Sequence, residues 1–206
     1  TAFQSYANTK IGTNTNSNLV IVSTTESTSS LTGALVVTGG VGISGNTFTA
    51  GWIIPSANTT QNLGSATNWW GTLYGVSTQA RYADLAEKYA ADADYEPGTV
   101  LVFGGSAEVT VTNQTHDTSV AGVVSSNPAY LMNSAAAGVA VALTGRVPCQ
   151  VQGPVNKGTV LVTSTTPGVA EAVDYSLYRP GSILGKSLET IEDNSIQTIE
   201  IVVGRF

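Results

Sequence analysis

QARYADLAEKYAADADYEPGTVLV, from Gln79 to Val102, divides the chain into two kinds of polypeptide. Before it, Gly, Thr, Ser and Asn dominate, and the only charged side chain from Ile11 to Ala80 is Glu26. After it the sequence carries charge at ordinary density. Within the stretch, Tyr82, Leu85 and Tyr89 follow a helical i, i+3, i+7 pattern, with Ala83, Ala86 and Ala90 filling close positions. Asp84, Glu87 and Lys88 fall away from that face. The pattern predicts a short helix, the only one in the chain, stopped by Pro97-Gly98 before a strand over Thr99–Phe103. The expected organisation is therefore a glycine-punctuated β shaft over 1–78, a helical joint over 79–94 and a compact C-terminal β head over 95–206. Tyr82, Leu85 and Tyr89 form the face by which the joint is expected to pack, as an interface with other copies of the chain or against the head.

Upstream, LTGALVVTGGVGISGNTFTAGWIIP (Leu31 to Pro55) places β-prone pieces of two to five residues between glycines 33, 39, 40, 42, 45 and 51. Such pieces are too short for a sheet with its own core. They suit an elongated structure of interlocked short strands in which chains share their apolar sides. The near absence of charge points the same way, since a free surface of this length carries more. Further on, Trp69, Trp70, Leu73 and Tyr74 form an aromatic cluster. Its primary reading is a hydrophobic plug under the helix; the alternative is that Trp52, Trp69 and Trp70 stack on a glycan.

Downstream, strands of four to eight residues are expected at 99–103, 108–111, 120–125, 137–144, 147–151, 159–163, 170–173, 183–188 and 197–203. A weak repeat runs through them: EPGTVLV (96–102), NKGTVLV (156–162) and the looser PGSILG (180–185) each join a turn to an apolar strand. Many short strands at such spacing indicate a small barrel or sandwich.

Composition bounds the function. The 206 residues carry a net charge of −6 and only 11% charged side chains, against the roughly 25% usual in globular domains. Mean hydropathy is +0.13, so this is no disorder signature. The acidic balance argues against phosphate-mediated nucleic-acid binding. No apolar run reaches the ~20 residues of a membrane span, and TAFQSYANTK at the start has no signal-peptide core. A lone cysteine, Cys149, reads as a small buried hydrophobe and makes no intrachain disulfide. The glycines at 39–45 lack a P-loop lysine, so no cofactor is implied. Asp92, Asp94 and Glu96 read as a solvated acidic turn rather than a metal site. His116-Asp117-Thr118-Ser119 holds triad residue types, but a triad needs geometry rather than adjacency. No catalytic residue is expected.

Three pieces resemble the tail fibres of tailed bacteriophages, cyanophages above all: TGALVVTGGVGISGN (32–46), NLGSATNWWGTLY (62–74), and ARYADLAEKY (80–89) with VAGVVSSNPAYLMNS (120–134). The resemblance implies a homotrimeric structural and receptor-binding fibre, made in the host cytoplasm and carried on the virion tail. Its partners would be other tail proteins and a host-surface glycan or protein. The last piece also looks distantly like autoproteolytic chaperone domains of phage appendages, which assist trimer assembly and then cleave themselves off. That likeness flags Asp84 and Ser125 or Ser126.

Overall fold

The computed structural model describes residues 21–76 and 79–204. The polar N-terminal run to Val20 and Ser77-Thr78, both in the expected shaft, and Arg205-Phe206 at the end of the expected head, lie outside these. The chain divides into two units, Thr1–Tyr74 and Gly75–Phe206.

The described residues form ten strands: β1 (Asp84–Tyr89), β2 (Val100–Phe103), β3 (Val109–Thr110), β4 (Val120–Val124), β5 (Tyr130–Met132), β6 (Val139–Gln152), β7 (Val160–Thr163), β8 (Ala170–Ala172), β9 (Ile183–Ser187) and β10 (Ile196–Val203). All belong to the C-terminal unit, and no helix occurs among the described residues. Strands β10, β9, β7, β8 and β6 are neighbours in that order, and β10 pairs back onto β6, closing a five-stranded barrel. The N-terminal half of β6 leaves the barrel and pairs with β1 and β4, and β4 continues to β2 and β3.

β6 thus serves both the barrel and the layer of β1, β4 and β2 within one continuous sheet, and its side chains follow. In its second half Val147, Cys149 and Val151 face inward while Arg146, Pro148 and Gln150 face outward, the period-2 alternation of a half-buried strand. β10 supplies Ile199, Ile201 and Val203 to the same core, with Leu161 from β7 and Leu184 from β9. Each such side chain contributes about 1.5–3 kcal/mol on burial. A second cluster, Leu101, Val109, Ala121, Val124 and Val141, packs on the other side of the β2–β4–β6 layer, with Tyr89, Tyr95 and Leu143 against it.

The sequence echo is a structural repeat. Thr99 N–H donates to Glu96 O (3.2 Å), Thr159 to Asn156 (3.0 Å) and Ser182 to Arg179 (3.1 Å). In each four-residue turn the third residue is glycine, at φ of 92°, 90° and 91°, which is what a type II turn requires. Strands β2, β7 and β9 follow directly. Only β7 and β9 enter the closed barrel; β2 pairs with β4 and β3 and lends Val100 to the barrel core.

The expected helix is a correction. Asp84–Tyr89 is a strand, parallel to β5 and antiparallel to β6 along its whole length. Asp84 and Ala86 are buried and the residues between and after them half-buried, a period of two rather than 3.6. A helix of one or two turns is marginal in water, and pairing on both sides outweighs the alanine-rich helix propensity. Sequence reading also misses β5 and divides β6 in two at Gly145.

The N-terminal unit differs in kind. Every described residue from Ile21 to Val76 is exposed apart from the half-buried Gly33, and no strand forms there. Phe48 and Trp52 are 92% and 91% exposed. The β-prone pieces between the glycines of Leu31 to Pro55 therefore form no strands within the chain, because an extended segment needs a neighbour for its N–H and C=O groups. What order exists is local. Thr32 Oγ1 accepts from Thr28 N–H (2.8 Å) and Ser29 N–H (2.9 Å), and Ser65 N–H donates to Asn68 O (3.0 Å).

Candidate functional site

The site follows from the place where β6 changes partners. Gly145 is paired with Asp84 of β1 and with Val203 of β10. Its φ is +105°, and a Cβ there would lie 2.2 Å from Ala83 O, so only glycine lets β1 approach. Beyond it, Arg146 N–H donates to Ala83 O (3.3 Å) and Gln150 N–H to Gly98 O (2.9 Å). Between them stands Pro148, which has no N–H to satisfy. The sheet therefore opens a gap at Pro148 without orphaning a donor.

That gap is a cleft of about 330 Å³, lined by Arg81–Asp84, the Ser125–Asn127 loop, Arg146–Pro148 and Glu200. Asp84 is its unusual member. It is 5% exposed, and its Oδ2 has no hydrogen-bond partner among the described residues. Buried carboxylates are ordinarily paired. Across the cleft Arg146 Nε lies 4.0 Å from Glu200 Oε2, an exposed and weak pair. Tyr82 is half exposed at the rim.

The structure thus brings together Asp84, Ser125 and Ser126, the residues flagged through the chaperone likeness. Ser125 is buried at the end of β4 and Ser126 is exposed. Arg81, Arg146 and Glu200 join them unannounced. Their convergence depends on pairings such as Glu200 with Pro148, 52 positions apart, which leave no local signature. Pro148 inside an alternating strand was the one available signal.

Tyr82, Leu85 and Tyr89 do not share a helical face. Leu85 and Tyr89 lie on one side of β1, and Tyr82 precedes the strand. Tyr89 is engaged within its own unit: its ring meets Phe103 edge-to-face at 5.4 Å and its hydroxyl donates to Glu87 Oε2 (2.8 Å). Trp52, Trp69 and Trp70 are exposed, and Trp69 Nε1–H donates to Ala66 O (3.0 Å). Among the described residues no helix covers the expected aromatic plug, and Trp69, Trp70, Leu73 and Tyr74 are exposed.

His116 is buried with φ of 55°. Its Nε2 accepts from Asp174 N–H (3.0 Å), so in the neutral ring Nδ1 carries the proton and donates to Thr115 Oγ1 (2.7 Å). Thr115 Oγ1 donates in turn to Glu171 Oε1. Asp117 accepts from the Thr112 hydroxyl and Ser119 N–H. The His116 and Asp117 side chains are thus committed to holding loops together, and these bonds do not form a triad. Asp92 accepts from Tyr95 Oη (2.6 Å), which with Thr110 holds its carboxyl below the usual range. Among the described residues no group of three or more His, Cys, Asp or Glu side chains converges as metal ligands. Cys149 is buried in β6, and burial pushes its thiol pKa up.

No family model and no curated protein matches this chain.

Proposed function

We propose that the chain is a segment of a homotrimeric tail fibre of a tailed, cyanophage-like bacteriophage, structural and receptor-binding rather than enzymatic. The observation that carries this reading is the N-terminal unit. Val22, Phe48, Trp52, Ile53 and Tyr74 are all more than four-fifths exposed, in a stretch with one charged residue. Apolar surface on that scale in a soluble chain marks an interface. Identical chains wound together would bury it, and would pair the extended pieces between glycines as intermolecular short strands. The C-terminal unit has its own core and would form the head, on the virion tail beside other tail proteins and facing a host glycan or protein. Light scattering of the purified full chain tests the reading: three times the chain mass of 21.1 kDa is the expected result, and a monomer at micromolar concentration overturns it.

A second reading, the self-cleaving assembly chaperone, is supported by the grouping of Asp84 with Ser125 and Ser126. Arginines hold their protons, so any base in the cleft would be Asp84 or Glu200. Intact-mass measurement separates the two readings, since self-cleavage near Asp84 yields two fragments and a structural fibre yields one full-length mass.

A further inference from the structure

The cleft beside Pro148 has a chemistry that selects its occupant. Asp84 lines the cleft with a side chain that is 5% exposed, and its buried Oδ2 has no hydrogen-bond partner among the described residues. Two guanidiniums, Arg81 and Arg146, and two carboxylates, Asp84 and Glu200, line the same space. The formal charges cancel. An added cation would face both arginines, and an added anion would face both carboxylates. A divalent metal would find two carboxylates and no third ligand of its kind. What fits is a neutral molecule that both donates and accepts hydrogen bonds at close spacing. An extended peptide is such a molecule, but it binds by adding to a free strand edge. Here β1 is paired on both sides, with β5 and β6, and β6 shows Pro148 to the cleft. A polyol needs no ladder.

We propose that this cleft is a binding site for a neutral sugar residue. Two ring hydroxyls donate to Asp84 and Glu200, oxygens accept from Asn127 and Arg146, and Tyr82 at the rim covers an apolar ring face. At about 330 Å³ the space lies at the small end of ligand pockets, suiting one residue of a glycan rather than a long chain. The inference rests on the host-surface half of the proposed function and moves the sugar contact from the tryptophans of the N-terminal unit to the C-terminal unit.

Saturation-transfer NMR on the intact chain, with glucose, galactose, mannose, N-acetylglucosamine and N-acetylgalactosamine as probes, tests it. The expected result is transfer to the ring protons of at least one of these, with a dissociation constant of about 1 mM. Asp84→Asn and, independently, the exposed-loop variant Asn127→Ala should each weaken it roughly tenfold, whereas Trp69→Ala leaves it unchanged. Absence of transfer from a cooperatively melting chain overturns the proposal. So does binding that survives both cleft variants, or binding lost only in Trp69→Ala or Trp70→Ala. Light scattering on the same sample keeps the two ideas apart: a monomer that binds sugar removes the trimer and keeps the site, and a trimer that binds none does the reverse.

Discussion

At the scale of single residues, the C-terminal unit is held by polar side chains whose partners are far away in sequence. His116 joins the 112–119 loop to Asp174, 58 positions on. Replacing it with Ala leaves Asp174 N–H without its acceptor. A loss of about 1–3 kcal/mol is expected, read by chemical denaturation, with faster hydrogen exchange at residues 173–177. Gly145→Ala should cost at least ~2 kcal/mol, because the new Cβ meets Ala83 O and φ is +105°. Acid acts through three carboxyls. Asp174 and Asp193 are held below the usual range by hydrogen bonds from Ser176 and Ser195, and Asp92 by Tyr95. A carboxyl depressed in the folded state adds stability above its unfolded value of about 3.9, and that stability goes as pH falls through the folded value. Melting temperature should therefore be insensitive to these groups near neutrality and fall below about pH 4. Asp193→Asn should show a smaller acid loss than the parent.

At the scale of elements, the strands after Tyr95 were legible, since short apolar runs bounded by turn residues are written locally. All nine segments expected after Tyr95 lie on strands, two of them as halves of β6. The misreading at Asp84–Tyr89 has a physical cause. Alanines at 83, 86 and 90 satisfy a helical face and a strand equally well, and the choice was made by β5 and β6, which the segment cannot see. Far-UV circular dichroism of the full chain should accordingly lack a helical component, and Ala86→Asp, burying a charge between two strands, should unfold the unit. A spectrum with clear helical minima would restore the joint. The site was half legible: resemblance pointed to Asp84, Ser125 and Ser126, while Arg146 and Glu200 reach the cleft only through the β6–β10 register. The turn repeat was read correctly as turn plus strand, yet identical turns lead β7 and β9 into the barrel and β2 alongside it. Local geometry sets how a strand starts, and packing sets where it goes.

At the scale of the molecule, the two units differ in how completely they bury themselves. The C-terminal unit has two apolar clusters joined through β6 and β4, so its strands should open together. Truncation after Thr198 removes Ile199, Ile201 and Val203 from the barrel core and should abolish protection at Val160–Val162. Survival of that protection would show that the strands do not share one cooperative core. Placing the only cysteine inside β6 has a consequence of its own. The Cys149 sulphur is shut away in the strand common to both layers, and a thiol reacts only as an exposed thiolate. Alkylation of the native chain is then a clock. Its rate counts the openings of the barrel, one covalent mark for each molecule that has come apart far enough, with no label to be engineered and no second thiol to blur the reading.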